Sequence, residues 1–247
     1  MRYLILSDMH ANWDAFEVVL RRTRRKRFDA ALVLGDLVGY GGAPNQVVEA
    51  VRRLGPKVYT VRGNHDKVVA GIDNGSNFNQ TALTAAQWTT GRLTPKNLRY
   101  VRELPRGPLG VEEGMAICHG SPLDEDTYVF SDVDAYEIFS QFTVPVVFFG
   151  HTHIPSIFSL EGRRLRVAPL KGDGGTIHLH PEGRYLLNPG SIGQPRDRDP
   201  RASYMIYDSR RRVVRWYRVP YPVGEAQKKI REAGLPGSLA DRLAVGT

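Results

Sequence analysis

Short β-rich runs alternate with amphipathic stretches through the first third of the chain. RYLILS (2–7), AALVLG (30–35) and KVYTVRG (57–63) are brief and bounded by Asp, Gly or Asn, so they read as strands. Between the first two, NWDAFEVVLRRTR (12–24) sets Trp13, Phe16, Val19 and Leu20 at helical spacing, with the Asn12 side chain placed to cap. PNQVVEAVRRL (44–54) opens on a proline suited to a first helical turn and repeats the amphipathic pattern. Strand and helix in alternation predict an α/β sheet with parallel neighbours.

The pattern then changes. Residues 66–104 read as a helical insertion, through NQTALTAAQWTTGRL and PKNLRYVREL, which would roof a site or orient a substrate. Strands are expected around 115–118, 145–149, 156–160, 164–167, 175–180, 184–188, 202–208 and 213–219. Glu161-Gly162 and Glu182-Gly183 read as hairpin signals between some of them. The tail, 223–247, reads as two short helices broken at Gly234-Leu235-Pro236-Gly237. No linker rich in proline, glycine or serine divides the chain, so one domain spanning 1–247 is expected.

Five apolar runs stop at side chains that bind metal ions. The residues are Asp8 and His10, then Asp36, then Asn64 and His65, then His119, then His151 and His153. Asp8, Asp36 and Asn64 stand 28 residues apart both times, about one strand–helix unit, so three neighbouring strands should present them side by side. Asp8 and His10, at i and i+2, would share one side of an extended segment. Asp36 lies in the turn Gly35-Asp36-Leu37-Val38-Gly39, where glycine lets the backbone approach an ion. Ligands of α/β sheets bind beyond the carboxyl ends of the strands. A metal centre there, and therefore an enzyme, is the expectation.

Composition narrows the setting. At 247 residues, 41% hydrophobic and 24% charged, the chain suits a well-packed globule. It has no apolar stretch near the roughly 18 residues that cross a bilayer, and no opening sequence resembling a signal peptide. A cytoplasmic protein without membrane partners is expected. The single cysteine, Cys118, allows no internal disulfide and, closing an apolar strand, should be packed. The net charge of +8 would suit nucleic acid or an anionic substrate. Much of the excess falls in Arg21–Arg27, at the end of the first helix, and in Arg210–Arg212, at a hairpin turn. Neither run is interleaved with aromatic residues, so a solvated surface is favoured over a base-stacking one.

The ordered set D-x-H, G-D-x-x-G, G-N-H-D, H-G-S and G-H-T-H resembles the calcineurin-like metallophosphoesterases, above all their small prokaryotic phosphodiesterase members. The resemblance extends into Asn188-Pro189-Gly190-Ser191-Ile192-Gly193-Gln194-Pro195-Arg196 and covers most of residues 1–219. It implies a four-layer α/β/β/α sandwich with a dinuclear centre between the sheets. It also implies that Asp8, His10, Asp36 and His153 hold one ion and that Asp36, Asn64, His119 and His151 hold the other, with Asp36 bridging. His65 would be a non-ligand histidine near the leaving group, oriented by Asp66. Two ions about 3.5–4 Å apart would neutralise phosphoryl oxygens and make hydroxide available near neutral pH. Nitrogen and oxygen donors without thiolate suit Mn, Fe, Zn or Ni.

Two departures from the family pattern stand out. Ala11 follows the first histidine where relatives commonly have glycine, and Gly39 closes the second motif where the protein phosphatases carry Asp-Arg. Asn12, Tyr40, Asn188 and Arg196 are candidate substrate contacts, although an Asn-Pro-Gly-Ser segment is also plain turn chemistry. His178 and His180 imitate a ligand pair but fall outside the ordered motifs and read as ordinary strand residues. The expected activity is hydrolysis of a small nucleotide or related phosphodiester. A dinucleoside polyphosphate hydrolase or phosphomonoesterase, a non-catalytic scaffold and a nuclease are the rivals.

Overall fold

The computed structural model describes residues 1–55, 57–112 and 114–247. Its first half follows the expected alternation: β1 (Arg2–Leu6), α1 (Trp13–Thr23), β2 (Ala30–Val33), α2 (Pro44–Val51) and β3 (Val58–Thr60). The helical insertion resolves into α3 (Asn64–Val69), α4 (Gln80–Arg92) and α5 (Pro95–Arg102), with a loop over 70–79. Then come β4 (Leu109–Glu112), β5 (Met115–Ile117), α6 (Asp132–Gln141), β6 (Val146–Phe148), β7 (Ser156–Glu161) and β8 (Arg164–Pro169). The chain closes with β9 (Gly174–His178), β10 (Arg184–Asn188), β11 (Ala202–Asp208), β12 (Val213–Val219), α7 (Val223–Glu232) and α8 (Gly237–Asp241).

Two six-stranded mixed sheets result. One has the order β3-β2-β1-β11-β12-β9 and the other β4-β5-β6-β10-β7-β8. β1, β2 and β3 run parallel, as do β5, β6 and β10. Alternation along the strands sorts side chains into layers. Tyr3 and Ile5 of β1, with Leu32 of β2, pack against Ile117, Phe148 and Leu187 of the other sheet. Leu4, Leu6, Ala31 and Val33 point the other way, onto α1, α2 and the insertion helices. The second sheet turns Val147, Phe158 and Leu186 outward onto Ala135, Ile138 and Phe139 of α6. The architecture is a four-layer α/β/β/α sandwich. No helix among the described residues is long and apolar enough to cross a membrane.

Several elements differ from the sequence expectation. Helix α6 and strand β4 are additional. The α6 signal is nevertheless present: Ser131 and Asp134 form a capping box, and Ala135, Ile138 and Phe139 share one face. Glu161-Gly162 does turn a hairpin, β7 to β8, but Glu182-Gly183 does not. The strands on either side of it belong to different sheets, so that turn carries the chain across the sandwich. Leu179 and His180 lie outside β9, which ends at His178.

Candidate metal centre

Five loops meet at the carboxyl ends of the parallel strands. Asp8 and His10 follow β1, Asp36 follows β2, Asn64 opens α3 after β3, His119 follows β5, and His151 and His153 follow β6. The segment after β1 is not extended, contrary to the expectation for its i, i+2 pair. Asp8, His10 and Ala11 have φ of 52°, 46° and 52°, and Asp36, His151 and His153 have 51°, 66° and 59°. These left-handed conformations cost roughly 1–2 kcal/mol for a residue with a Cβ. Their concentration in ligand loops marks strain held at a functional site. The same geometry bears on Ala11, because glycine adopts that φ without the penalty.

The side chains form two donor groups. Asp8, His10, Asp36 and His153 make one, and Asp36, His119 and His151 the other, with ligand atoms within 4.8 Å of one another inside each group. Asp36 is common to both. Asn64 adds its amide oxygen, 3.2 Å from His119 Nε2.

Tautomers show what belongs between these atoms. The Nδ1 atoms of His10, His119 and His153 lie 3.0, 2.7 and 2.6 Å from the carbonyl oxygens of Val38, Leu34 and Gln194. A carbonyl only accepts, so each Nδ1 carries a proton, and the inward Nε2 presents a lone pair whenever the ring gives up its second proton. The Nε2 atoms of His10 and His153 face each other at 3.1 Å, and Nε2 of His10 and of His119 each lie 3.4 Å from Asp36 Oδ2. Facing lone pairs and carboxylates repel unless a cation or proton stands among them. His151 is held the other way round, its Nε2 donating to Asp126 O at 3.0 Å and leaving Nδ1 free.

Charge points the same way. Burial alone would raise the carboxyls of Asp8 and Asp36, but the imidazoles beside them, His153 and His119 first, hold both well below the usual range. Burial opposes charge on His119 too, yet Asp36 pushes its pKa up to about 10. Burial draws His10 and His153 down, and His151 to about 3. Two buried carboxylates thus face one imidazolium, a deficit of positive charge that divalent ions would fill. Oxygen and imidazole donors without thiolate fit two such ions. Cys118 is buried, bonds Gly120 O, and belongs to neither group.

His65 sits beside the centre, 4.9 Å from the His10 ring and 4.3 Å from that of Tyr40. Burial pulls its pKa down to about 4, and its Nδ1 has no hydrogen-bond partner. Asp66 does not orient this ring. Its carboxylate accepts instead from the backbone N–H groups of Leu37, Val38 and Gly63, tying the second loop to the third. Gly39 has φ +85°, and a Cβ there would stand 2.5 Å from His65 Nδ1. Gly39 therefore leaves room for the ring, which explains the absence of a larger residue. Gly39→Ala is expected to cost about 1–2 kcal/mol of stability and to displace His65, while two ions still bind. Thermal unfolding and elemental analysis check this; an unchanged melting temperature with full activity would show that the loop yields freely.

Among the candidate substrate contacts, Tyr40 and Arg196 line the cavity over the centre. Asn188 and Asn12 do not. Asn188 is fully buried; its Nδ2 donates to Gly150 O and Thr152 Oγ1, and its oxygen accepts from Gly190 N, so it braces the His151 loop. Asn12 caps α1 and donates to Gly193 O and to the Tyr221 hydroxyl. The Asn188–Arg196 segment also holds the first loop, because Ser191 Oγ and Gly193 N both donate to Asp8 O. His178 and His180 belong to neither donor group; His178 ends the edge strand β9 and His180 lies beyond it. Other residues lining the cavity were not legible in the sequence, among them Lys67, Asn77, Phe78, Asn79, Asp126 and Tyr128. Phe78 interrupts a polar stretch of the insertion, and that is the only signal it offered.

Comparison with known proteins agrees with this geometry. Residues 1–212 match the model of the calcineurin-like phosphoesterase superfamily domain. A metallophosphoesterase from Sphaerobacter thermophilus superposes with a TM-score of 0.86 at 40% identity, covering 100% of this chain and 99% of that one. An uncharacterized protein of Methanocaldococcus jannaschii is 35% identical over 98% of this chain and 97% of its own. A symmetrical bis(5'-nucleosyl)-tetraphosphatase from Sodalis glossinidius is 36% identical over only 29% of this chain and 27% of its own. With its ordered motifs converging on a dinuclear donor cluster at the sheet edge, the chain belongs to the calcineurin-like phosphoesterase superfamily.

Proposed function

We propose that this metal-dependent phosphoesterase is a diesterase acting on a small nucleotide or related ester. The observation that carries the reading is the supply of cations in the cavity. Lys67 and Arg196 are its only lysine and arginine among the described residues. Lys67 is already engaged, 2.5 Å from Asp126 Oδ2 and 3.4 Å from Glu125 Oε1. Arg196 pairs with no carboxylate among the described residues; one terminal nitrogen reaches Gln194 Oε1 at 3.3 Å and its Nε has no partner. One free guanidinium matches the single negative charge of a phosphodiester. Beside the metal ions, the second charge of a monoester would find no further free cationic side chain in the cavity among the described residues.

Asp8, His10, Asp36 and His153, with Asn64, His119 and His151 completing the second set, would hold two ions of Mn, Fe, Zn or Ni. Bound there, the ions would supply Lewis-acid neutralisation of the phosphoryl group and activation of water. The chain does the rest. Arg196 offsets charge on a non-bridging oxygen, and His65 donates a proton or hydrogen bond to the departing oxygen. The carbonyls of Val38, Leu34, Gln194 and Asp126 fix the imidazoles so that their lone pairs stay inward.

Charge distribution opposes the nuclease reading. Between Arg106 and Arg163 the chain has nine acidic residues and no Lys or Arg, and this stretch carries His119, His151 and His153. The basic runs lie at the other end of the first sheet: Arg210–Arg212 turn beside the start of β1, where Arg2 pairs with Asp208, and Arg24–Arg27 lead into β2. A polyanion drawn to those arginines would lie away from the centre.

Hydrolysis with Mn²⁺ tests the reading. Higher kcat/KM is expected for bis(4-nitrophenyl) phosphate than for 4-nitrophenyl phosphate. A monoester preference of about tenfold, near 1.4 kcal/mol in the transition state, would overturn it. Inactivity on both, with two ions bound, would favour a binding scaffold.

A further inference from the structure

The insertion adds a wall to the cavity that the chemistry at phosphorus does not need. Its loop carries Asn77-Phe78-Asn79 to the rim, and all three residues line the cavity. The Phe78 ring lies 4.5 Å from that of His65, tilted by 40°. The other wall is also aromatic. Tyr128 stacks on His151 at 3.8 Å and 17°, and Phe130 continues the stack at 5.3 Å and 12°. Each side of the centre is therefore extended outward by a ring lying on a site histidine. Tyr128 and Phe130 remain 42% and 55% exposed, while Phe78 is half-buried, packed partly against the core beneath the insertion and partly open to the cavity.

The polar groups beside Phe78 are of a particular kind. They are amides rather than cations. Asn79 uses its oxygen to cap α4, accepting from Ala82 N at 2.9 Å, so the amide nitrogen of this exposed side chain is left to donate. Asn77 is exposed. An apolar ring flanked by amides suits a flat, uncharged, hydrogen-bonding group, and does not suit a second phosphate. Phosphate is served instead by Arg196 and the donor groups. The cavity offers about 210 Å³, small beside the roughly 300–1,000 Å³ of drug-sized ligand pockets, and it opens to solvent.

We infer that Phe78 is a stacking platform for a nucleobase carried by the alcohol of the phosphodiester, with Asn77 and Asn79 at the edge of the base and Tyr128 as the opposing wall. The inference rests on the diesterase reading and specifies its substrate as a nucleoside phosphodiester. Base–aromatic stacking tolerates every base, because each has a π-face. The discrimination is thus between esters that bear a base and esters that do not.

The test uses two diesters with one leaving group, thymidine 5'-(4-nitrophenyl) phosphate and methyl 4-nitrophenyl phosphate, on the metal-loaded full chain. The nucleoside ester is expected to show a kcat/KM at least about fivefold higher, the low end of stacking effects. Phe78→Ala should collapse that ratio toward one, and Phe78→Trp should keep it. If Phe78 only packs His65, Phe78→Ala would lower both esters in proportion and preserve the ratio, which overturns the inference. So would a native ratio near one. If neither ester is cleaved, the diesterase reading fails, and binding decides the platform separately. AMP should then bind more tightly than inorganic phosphate by calorimetry, an advantage that Phe78→Ala removes. Equal affinity for the two, or an advantage that survives Phe78→Ala, overturns the platform as well.

Discussion

Asp36→Asn is expected to leave the protein folded and to reduce kcat/KM by at least about 10³, some 4 kcal/mol of transition-state stabilisation. The substitution keeps the shape of a side chain that Gly63 approaches closely, and it keeps an oxygen to accept the backbone N–H of His65, now 2.9 Å from Oδ1. What it removes is the one negative charge common to the two donor groups. Elemental analysis should show the native protein saturating at two divalent ions and the variant at one or fewer. Two ions retained at full affinity would mean that Asp36 does not bridge. A native protein saturating at one ion would remove the dinuclear assignment altogether.

His65→Ala is expected to separate chemistry from metal binding. Both ions should remain, since the ring belongs to neither donor group. Activity on esters with poor, alkyl-type leaving groups should fall by about 10²–10⁴, the usual range for a positioned acid or base. Nitrophenyl esters should lose much less, because nitrophenolate departs with little need of a proton. Equal losses would place the hydrogen bond of His65 on a non-bridging oxygen instead. A fall in metal content would make His65 a ligand. The low pKa bears on this design: the ring is neutral in the metal-free protein at pH 7, so any proton it gives comes from an N–H rather than from a standing imidazolium.

The features legible in the sequence are those that depend on local spacing. Short apolar runs, and helices such as α1 with its Asn12 cap, are written in neighbouring residues. The 28-residue interval between Asp8, Asp36 and Asn64 reads directly as β1, β2 and β3 side by side. Long-range pairing is not written that way. The Glu182-Gly183 turn looks like any hairpin, yet β9 joins β12 while β10 joins β6 and β7. Side-chain partners are equally hidden. Asp66 stands next to His65, and adjacency suggests a pair, but in the first turn of α3 its carboxylate reaches backwards to three backbone amides. Asn188 and Asn12 look free in sequence and are consumed by the fold. Lys67 and Asp126, 59 positions apart, form an ion pair at the cavity that no local pattern announces.

The donors of the centre are divided between the sheets, with Asp8, His10, Asp36 and Asn64 on one and His119, His151 and His153 on the other. That division matters while the chain is being made. A ribosome delivers roughly 5–20 residues per second, so on the order of ten seconds separates the emergence of Asp8 from that of His153. During this interval Asp8 has neither its His153 neighbour nor the brace from Ser191 and Gly193. The nascent amino-terminal half offers an ion only a partial set of donors, from one side. A full donor set with its brace therefore exists only once residues through Gly193 have emerged, when both sheets can close together.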